Sequence, residues 1–292
     1  MRGHYFGSTT VALGGNAAHH DNKVIRGANM QATINGVKVN YADEGKGPPV
    51  VFVHGFPLSR ATWQKQIETL RSSHRVIAPD LRGLGENDAA SGTTTMEQFA
   101  DDIHALLQQL KTGPVVLVGH SMGGYIALAF ARKFPDMLRG LVLVATKAGA
   151  DTPEAAAGRR ATADKVKAGG ANVVVDAMAP KMLAASNQDQ KMADQVRGFM
   201  APSKPDSVIA ALLGMAERPD STSMLANIAV PTLVITGADD TVIPPAESEK
   251  LAAAIPGAQL KKIPSAGHLV AFEQSAEFNR ELKDWLNGLK SS

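Results

Sequence analysis

The stretch 115–124, Val-Val-Leu-Val-Gly-His-Ser-Met-Gly-Gly, constrains the fold more than any other part of this chain. Four aliphatic residues lead into a Gly-x-Ser-x-Gly turn, and the helical pattern that follows runs to Phe134 and stops at Pro135. A strand, a sharp turn and a helix in this order present a nucleophilic serine at the end of a parallel strand. The sequence therefore predicts that Ser121 is a nucleophile and that other segments supply a base, an acid and an oxyanion hole.

The pentapeptide alone has a simpler interpretation, a glycine-rich turn whose serine caps the next helix. The flanking segments favour the nucleophile because an apolar run precedes the turn and an amphipathic helical pattern follows it. Such a turn would hold Ser121 in a sparsely populated backbone conformation. Gly119 and Gly123 would then remove the Cβ atoms that collide where strand and helix converge.

Composition restricts the function classes. A chain of 292 residues, 44% hydrophobic and 20% charged, can bury the core of one large α/β domain, with or without an insertion. The net charge is +2 and the longest basic runs are pairs such as Arg159-Arg160, so we expect no nucleic-acid partner. No apolar stretch reaches the ~18 residues of a spanning helix. Cysteine is absent, which excludes disulfides and thiolate metal sites.

Residues 1–29 are rich in Gly, Asn, Ala and Thr, with little periodicity, and are predicted to form a flexible N-terminal extension. His4, His19 and His20 in this segment are weak metal-ligand candidates, and we expect no metal and no cofactor. The absence of cysteine leaves the compartment open between the cytoplasm and a disulfide-free secreted context. No signal-peptide pattern is visible, so the cytoplasm is favoured. A monomer and a homodimer both remain open.

From residue 30 the chain alternates strand and helix patterns. A hairpin is predicted around Asn35-Gly36, a turn pair that tolerates positive φ. Apolar runs at 49–53, 75–80, 115–118, 138–146 and 231–237, and a strand pattern at 259–263, alternate with helical patterns at 61–72, 95–110, 125–134, 245–254 and 272–289. This alternation predicts an α/β fold with a mostly parallel, doubly wound sheet.

The alternation stops for roughly 80 residues between the strands near 140 and 233. Helical patterns fill this segment, beginning with Thr152-Pro153-Glu154, a cap residue followed by a first-turn proline and an early acid. Parallel sheets bind ligands at the carboxyl edge of their strands. We therefore predict a core at 30–146 and 229–292 and a helical cap, or lid, at 147–228.

Two late loops can complete a serine nucleophile. Asp239-Asp240 follow the strand at 231–237, and His268 follows the strand at 259–263, which gives the chain order Ser, Asp, His. His268 is the predicted base, against the alternative of a solvated loop histidine. His120 can line the site but cannot reach Ser121 as a base, and His54 is interpreted as a structural or oxyanion-loop residue. His74 and His104 are read as surface or packing histidines.

Several ordered motifs together make the chain resemble the α/β-hydrolase superfamily over 30–289. They are the nucleophile turn at 119–124, His54-Gly55-Phe56-Pro57 as oxyanion loop, Asp80–Gly85, the acid turn with Gly237, Asp240 and Pro244, and the base turn Gly267-His268. The resemblance implies Asp240 as the acid, with Asp239 as the less favoured neighbour. It also implies that the backbone N–H groups of Phe56 and Met122 form the oxyanion hole. Glu86-Asn87 depart from the pattern of many members.

Within the superfamily a serine at 121 argues against haloalkane dehalogenases and epoxide hydrolases, which use aspartate. The segment Met215–Asp220 is similar to enol-lactonase-like and small-molecule esterase members. The resemblance implies a carboxylesterase acting on small to medium acyl esters through an acyl-enzyme. A lactonase, a C–C bond hydrolase and a cofactor-free perhydrolase use the same triad, and a non-catalytic small-molecule receptor is a further alternative. Beside Phe56 and Met122, the candidate pocket residues are His54, Gly55, Trp63, His120, Met178, Met182 and Leu269.

Overall fold

The computed structural model describes Met1 and residues 30–289. Within these residues eight strands form one sheet in the order β1-β2-β4-β3-β5-β6-β7-β8. The strands are β1 (Met30–Ile34), β2 (Val37–Glu44), β3 (Pro49–Val53), β4 (Arg75–Pro79), β5 (Val115–His120), β6 (Leu138–Val144), β7 (Thr232–Gly237) and β8 (Gln259–Ile263). β1, β2 and β4 pair antiparallel, and every pair from β4 through β8 is parallel. The mostly parallel α/β sheet is confirmed.

Ten α-helices accompany the sheet in the described residues. They are α1 (Gln64–Leu70), α2 (Met96–Gln109), α3 (Met122–Lys133), α4 (Pro153–Gly169), α5 (Asn172–Met178), α6 (Gln190–Met200), α7 (Pro205–Ala216), α8 (Pro245–Ala254), α9 (Val270–Glu273) and α10 (Ser275–Gly288). Helices α4 to α7 lie between β6 and β7, which is the segment predicted as the cap. None of the helices described is long and apolar enough to cross a membrane.

Both faces of the sheet are covered, as a doubly wound sheet requires. Successive residues of β3 alternate between two apolar cores: Val51 and Val53 pack in one, with helices α2 and α3. Val50 and Phe52 pack in the other, with α1 and α10. Because side chains alternate across a strand, a strand buried on both faces reads as a continuous apolar run.

The predicted close approach of strand and helix around the serine turn is confirmed. A Cβ on Gly119 would lie 2.3 Å from the carbonyl oxygen of Gly123. A Cβ on Gly123 would in turn lie 2.3 Å from the carbonyl oxygen of Val53. Since real Cβ atoms do not approach backbone oxygens this closely, only glycine lets α3 start directly against β3 and β5.

Two predicted helix boundaries have different outcomes. The Thr152 side chain accepts the backbone N–H of Ala155 at 3.2 Å, so α4 begins as predicted with a capping residue and a proline. The single terminal helix predicted at 272–289 is wrong, because Gln274 adopts φ −111° and ψ 51° and divides α9 from α10. Its side chain donates a hydrogen bond to the carbonyl oxygen of Ser265 at 2.8 Å.

The predicted N-terminal extension, with His4, His19 and His20, lies outside the described residues apart from Met1. The described part of the chain contains no group of three or more His, Cys, Asp or Glu that could hold a metal ion. The division into core and cap stays a prediction.

Candidate active site

Ser121 occupies the turn between β5 and α3 with φ 53° and ψ −116°. A non-glycine residue in this conformation costs on the order of 1–3 kcal/mol, so the surrounding structure must hold it there. The backbone N–H of Ser121 donates to the carbonyl oxygen of Val144 at 2.9 Å. The Thr146 hydroxyl donates to the Ser121 carbonyl oxygen at 2.8 Å. The end of β6 and the residues after it therefore brace the turn.

The structure brings Ser121, His268 and Asp240 into one hydrogen-bonded chain. Nε2 of His268 lies 2.9 Å from the hydroxyl oxygen of Ser121, and Nδ1 lies 2.8 Å from Oδ2 of Asp240. Both His268 and Asp240 are buried. Because a carboxylate accepts hydrogen bonds, it fixes the proton of neutral His268 on Nδ1 and leaves Nε2 free to accept the serine proton.

The acid turn places the neighbouring aspartates differently. Oδ1 of Asp240 accepts the backbone N–H groups of Val242 and Ile243 at 2.8 and 2.9 Å, which orients Oδ2 towards His268. Asp239 is exposed, and its backbone N–H donates to Ala266. The structure therefore brings Asp240 to the histidine and leaves Asp239 at the surface.

His120 and His54 are both buried near Ser121, His268 and Asp240, and their rings form hydrogen bonds with backbone groups. Nε2 of His120 donates to the carbonyl oxygen of His268 at 2.9 Å. Burial, followed by the charge of His268, lowers the pKa of His120 to about 3, so its ring is neutral near pH 7. His54 donates from Nδ1 to Gly55 at 2.8 Å, accepts the N–H of Leu81 at Nε2, and has a pKa lowered mainly by burial.

The two residues whose backbone N–H groups are predicted as oxyanion donors both lie near Ser121. Met122 is the first residue of α3, so its N–H belongs to the helix end that lacks intrahelical acceptors. Phe56 lies in the loop after β3 and shares the wall of a cavity with Ser121. A Cβ on Gly55 would lie 3.1 Å from Cβ of Ser121, so the backbone of this loop passes directly beside the serine.

A cavity of about 430 Å³ opens at Ser121, and Met178 and Phe56 lie in its wall. The other candidate pocket residues do not line this cavity, and that part of the prediction needs correction. They are His54, Gly55, Trp63, His120, Met122, Met182 and Leu269, and the Met122 side chain is instead buried in the apolar core that contains α2 and α3. Trp63 faces the opposite side of the sheet, where its ring lies 4.9 Å from that of Phe52.

The other candidate pocket residues that do not line the cavity have their side chains engaged elsewhere. Met182 and Leu269 are buried in one apolar cluster, where the N–H of Leu269 donates to the carbonyl of Met182 at 2.8 Å. His54, Gly55 and His120 support the backbone around Ser121 instead of facing the cavity. Spacing along the chain identified the segments but not the direction of these side chains.

A family model of the α/β hydrolase fold matches residues 48–275. The chain belongs to the α/β-hydrolase superfamily. A non-heme chloroperoxidase from Kitasatospora aureofaciens is 32% identical, over 87% of this chain and 98% of the relative. An esterase from Thermogutta terrifontis, solved with malate bound, is 41% identical with a TM-score of 0.86, over 89% of this chain and 98% of that one. The enol-lactonase from Burkholderia xenovorans is 26% identical with a TM-score of 0.82, and the match covers 88% of this chain and 100% of that one.

Sequence reasoning missed a charged cluster at the cavity of this α/β hydrolase. The side chain of Asp151 is only 1% exposed and binds three cations: Nε of Arg159, Nη1 of Arg218 at 2.8 Å and Nζ of Lys147 at 3.5 Å. The Arg218 guanidinium also lies 4.1 Å from the centre of the Tyr125 ring. One signal was available, since Lys147 and Asp151 directly follow β6 at the carboxyl edge where such sheets place ligands.

Asp151 should make stability depend on pH in the acid range. Burial raises its pKa, but hydrogen bonds from Arg159 and Arg218 outweigh burial and lower the pKa from 3.8 to about 2. The folded state therefore binds this proton less readily, and about 2 kcal/mol of stability, present above pH 4, is lost as the pH falls towards 2. We expect the difference in unfolding free energy between wild type and Asp151→Asn to shrink between pH 5 and pH 3, measured by urea denaturation. Asp136→Asn, at an exposed position, is the control, and parallel curves for wild type and Asp151→Asn would contradict the assignment.

Proposed function

We propose that this chain is a serine carboxylic ester hydrolase acting on small to medium acyl esters through an acyl-enzyme. The observation that carries the proposal is the buried chain of hydrogen bonds from Ser121 through His268 to Asp240, at 2.9 and 2.8 Å. A serine hydroxyl is a weak nucleophile, and a base oriented by an acid is what activates it. The strained turn and the beginning of α3 favour the same role, because they place Ser121 at the N-terminus of α3, where backbone N–H groups lack intrahelical acceptors.

In the proposed first half-reaction, Ser121 Oγ attacks the ester carbonyl carbon while Nε2 of His268 takes the hydroxyl proton. The tetrahedral oxyanion accepts hydrogen bonds from the N–H groups of Phe56 and Met122, each worth roughly 2.7–4 kcal/mol by analogy with measured cases. The positive end of the α3 dipole points at the same oxygen. His268 then gives its proton to the leaving alcohol as the ester bond breaks, which produces the acyl-serine.

In the second half-reaction water attacks the acyl-serine, and His268 takes one water proton and returns it to Ser121 Oγ. The products are the carboxylic acid and the regenerated serine. Asp240 keeps the imidazole tautomer and balances the charge of the imidazolium in both halves. The proposed steps use only groups of the protein and water.

The first test is turnover of 4-nitrophenyl esters from acetyl to dodecanoyl, together with covalent labelling by the organophosphate paraoxon. We expect a maximum at a short or medium acyl chain, because a cavity of about 430 Å³ is at the small end of ligand sites. Labelling should add one diethylphosphoryl group to the peptide that contains Ser121 and abolish turnover. Labelling at another serine, with turnover lost in parallel, would overturn the assignment of the nucleophile.

A lactone hydrolase is the second candidate, favoured by the likeness to the Burkholderia enol-lactonase. A lactone is an internal ester, so the same acyl-enzyme forms and the leaving alcohol stays attached to the acyl group. Rates on lactones and open-chain esters of equal acyl length decide between the two. The C–C hydrolase, perhydrolase and receptor alternatives stay predictions, and sustained turnover of esters would argue against a receptor.

A further inference from the structure

The wall of the cavity at Ser121 carries two positively charged side chains. Lys147 comes from the segment after β6, and Arg159 projects from helix α4. Each side chain keeps 25% of its surface accessible, and both side chains line the cavity. Ser121 and these two cations therefore line the same cavity, and a molecule bound there could contact all three.

The charges of this cluster do not cancel. Asp151 is the shared carboxylate of Lys147, Arg159 and Arg218, which gives three cations to one anion. Neither Lys147 nor Arg159 has a second carboxylate partner in the described part of the chain. The exposed Asp220 also interacts with Arg218. When Asp220 is included in the count, the three cations still outnumber the two carboxylates.

Two further observations concern the charge balance around this cavity. Glu247 is the carboxylate in the cavity wall, and Lys250 already neutralises it at 2.5 Å. In the cluster itself the Nε–H of Arg218, which does not line this cavity, is buried without a hydrogen-bond acceptor among the described residues. An excess of cations in a cavity wall is costly unless an anion offsets it, because a cavity screens charge less than water does.

We infer that Lys147 and Arg159 form a carboxylate-binding subsite, and that the substrates are monoesters of short dicarboxylic acids. This inference rests on the proposed function and narrows its substrate class. The ester carbonyl would lie at Ser121 while the free carboxylate contacts the two cations across the cavity. Hydrolysis releases the alcohol and the dicarboxylate, with water supplying the added oxygen and hydrogen atoms.

The experiment compares two esters with five-carbon acyl groups, 4-nitrophenyl hydrogen glutarate and 4-nitrophenyl pentanoate. A charge-assisted contact predicts that wild type favours the glutarate ester about tenfold in kcat/KM, through a lower KM. Lys147→Met should lower this ratio about tenfold, and Lys147→Glu should lower it further by repelling the carboxylate. Lys133→Met removes the same charge at an exposed lysine outside the cavity and should leave the ratio unchanged.

Glutarate binding to Ser121→Ala protein, measured by calorimetry, gives a readout that needs no turnover. Binding should weaken about tenfold when Lys147→Met is added. If Lys147 controls glutarate binding but no ester is hydrolysed, the subsite stands and the proposed function fails. If the pentanoate ester is hydrolysed and wild type shows no preference for the glutarate ester, the proposed function stands and the subsite is overturned.

Discussion

Replacing Ser121 with alanine is expected to lower kcat for 4-nitrophenyl esters by up to ~10⁶-fold. The substitution removes the proposed attacking atom and leaves His268 and Asp240 hydrogen-bonded to each other. Any residual rate would come from water activated in the same cavity, with the proposed oxyanion donors still in place. Steady-state rates with the preferred acyl chain, beside wild type at equal concentration, measure the loss.

The matched control for this variant is Ser265→Ala. Ser265 is exposed and has φ 52°, almost the same left-handed backbone value as Ser121 at 53°. Both substitutions place alanine at a strained position, so a difference in activity cannot come from backbone strain alone. Ser265→Ala should keep wild-type kcat, and equal rates for Ser121→Ala and wild type would refute the nucleophile assignment.

The turn at Ser121 could be predicted from sequence because the strand, the turn and the helix each require a recognisable residue pattern, and the three patterns are adjacent in the chain. A buried parallel strand needs an apolar run, the convergence with α3 needs Gly119 and Gly123, and a helix needs its own periodic pattern. The loop that carries His268 was located by the same logic, since parallel strands end at one edge of the sheet. These features depend on residues close together in the chain.

The cavity wall could not be predicted in the same way. Trp63 follows the predicted oxyanion loop, but its side chain packs on Phe52, and spacing does not show which face of the sheet a side chain takes. Asp151 and Arg218 are 67 residues apart, and their contact depends on how the inserted helices fold back. No periodic pattern connects two such residues.

Asn87, in the segment that departs from the family pattern, shows a related limit. Its side chain is buried, donates to the carbonyl oxygens of Asp80 and Leu81, and accepts the backbone N–H of Asn40 at 2.7 Å. The asparagine therefore connects the loop after β4 to strand β2. The structural role of Asn87 depends on three backbone groups that only the folded chain brings together. The sequence therefore showed that this position departs from the family pattern but could not show why.

The role of Asp240 leads to the second large effect: Asp240→Asn should lower kcat near neutral pH by about 10⁴-fold, by analogy with other triads. An asparagine can keep its oxygen on the N–H groups of Val242 and Ile243, so the turn should survive. Its NH₂ group would then face Nδ1 of His268 and force the ring proton onto Nε2. A protonated Nε2 cannot accept the proton of Ser121, and no negative charge remains to balance the imidazolium.

Asp239→Asn is the matched control, because it removes the same charge from the adjacent, exposed residue of the same turn. We expect this variant to keep kcat within a few-fold of wild type, since surface charges that lack close partners contribute little. Thermal unfolding of both variants separates lost chemistry from lost structure. A large loss of kcat in Asp239→Asn with near-normal kcat in Asp240→Asn would transfer the acid to Asp239, and similar small losses in both would leave His268 without a required acid.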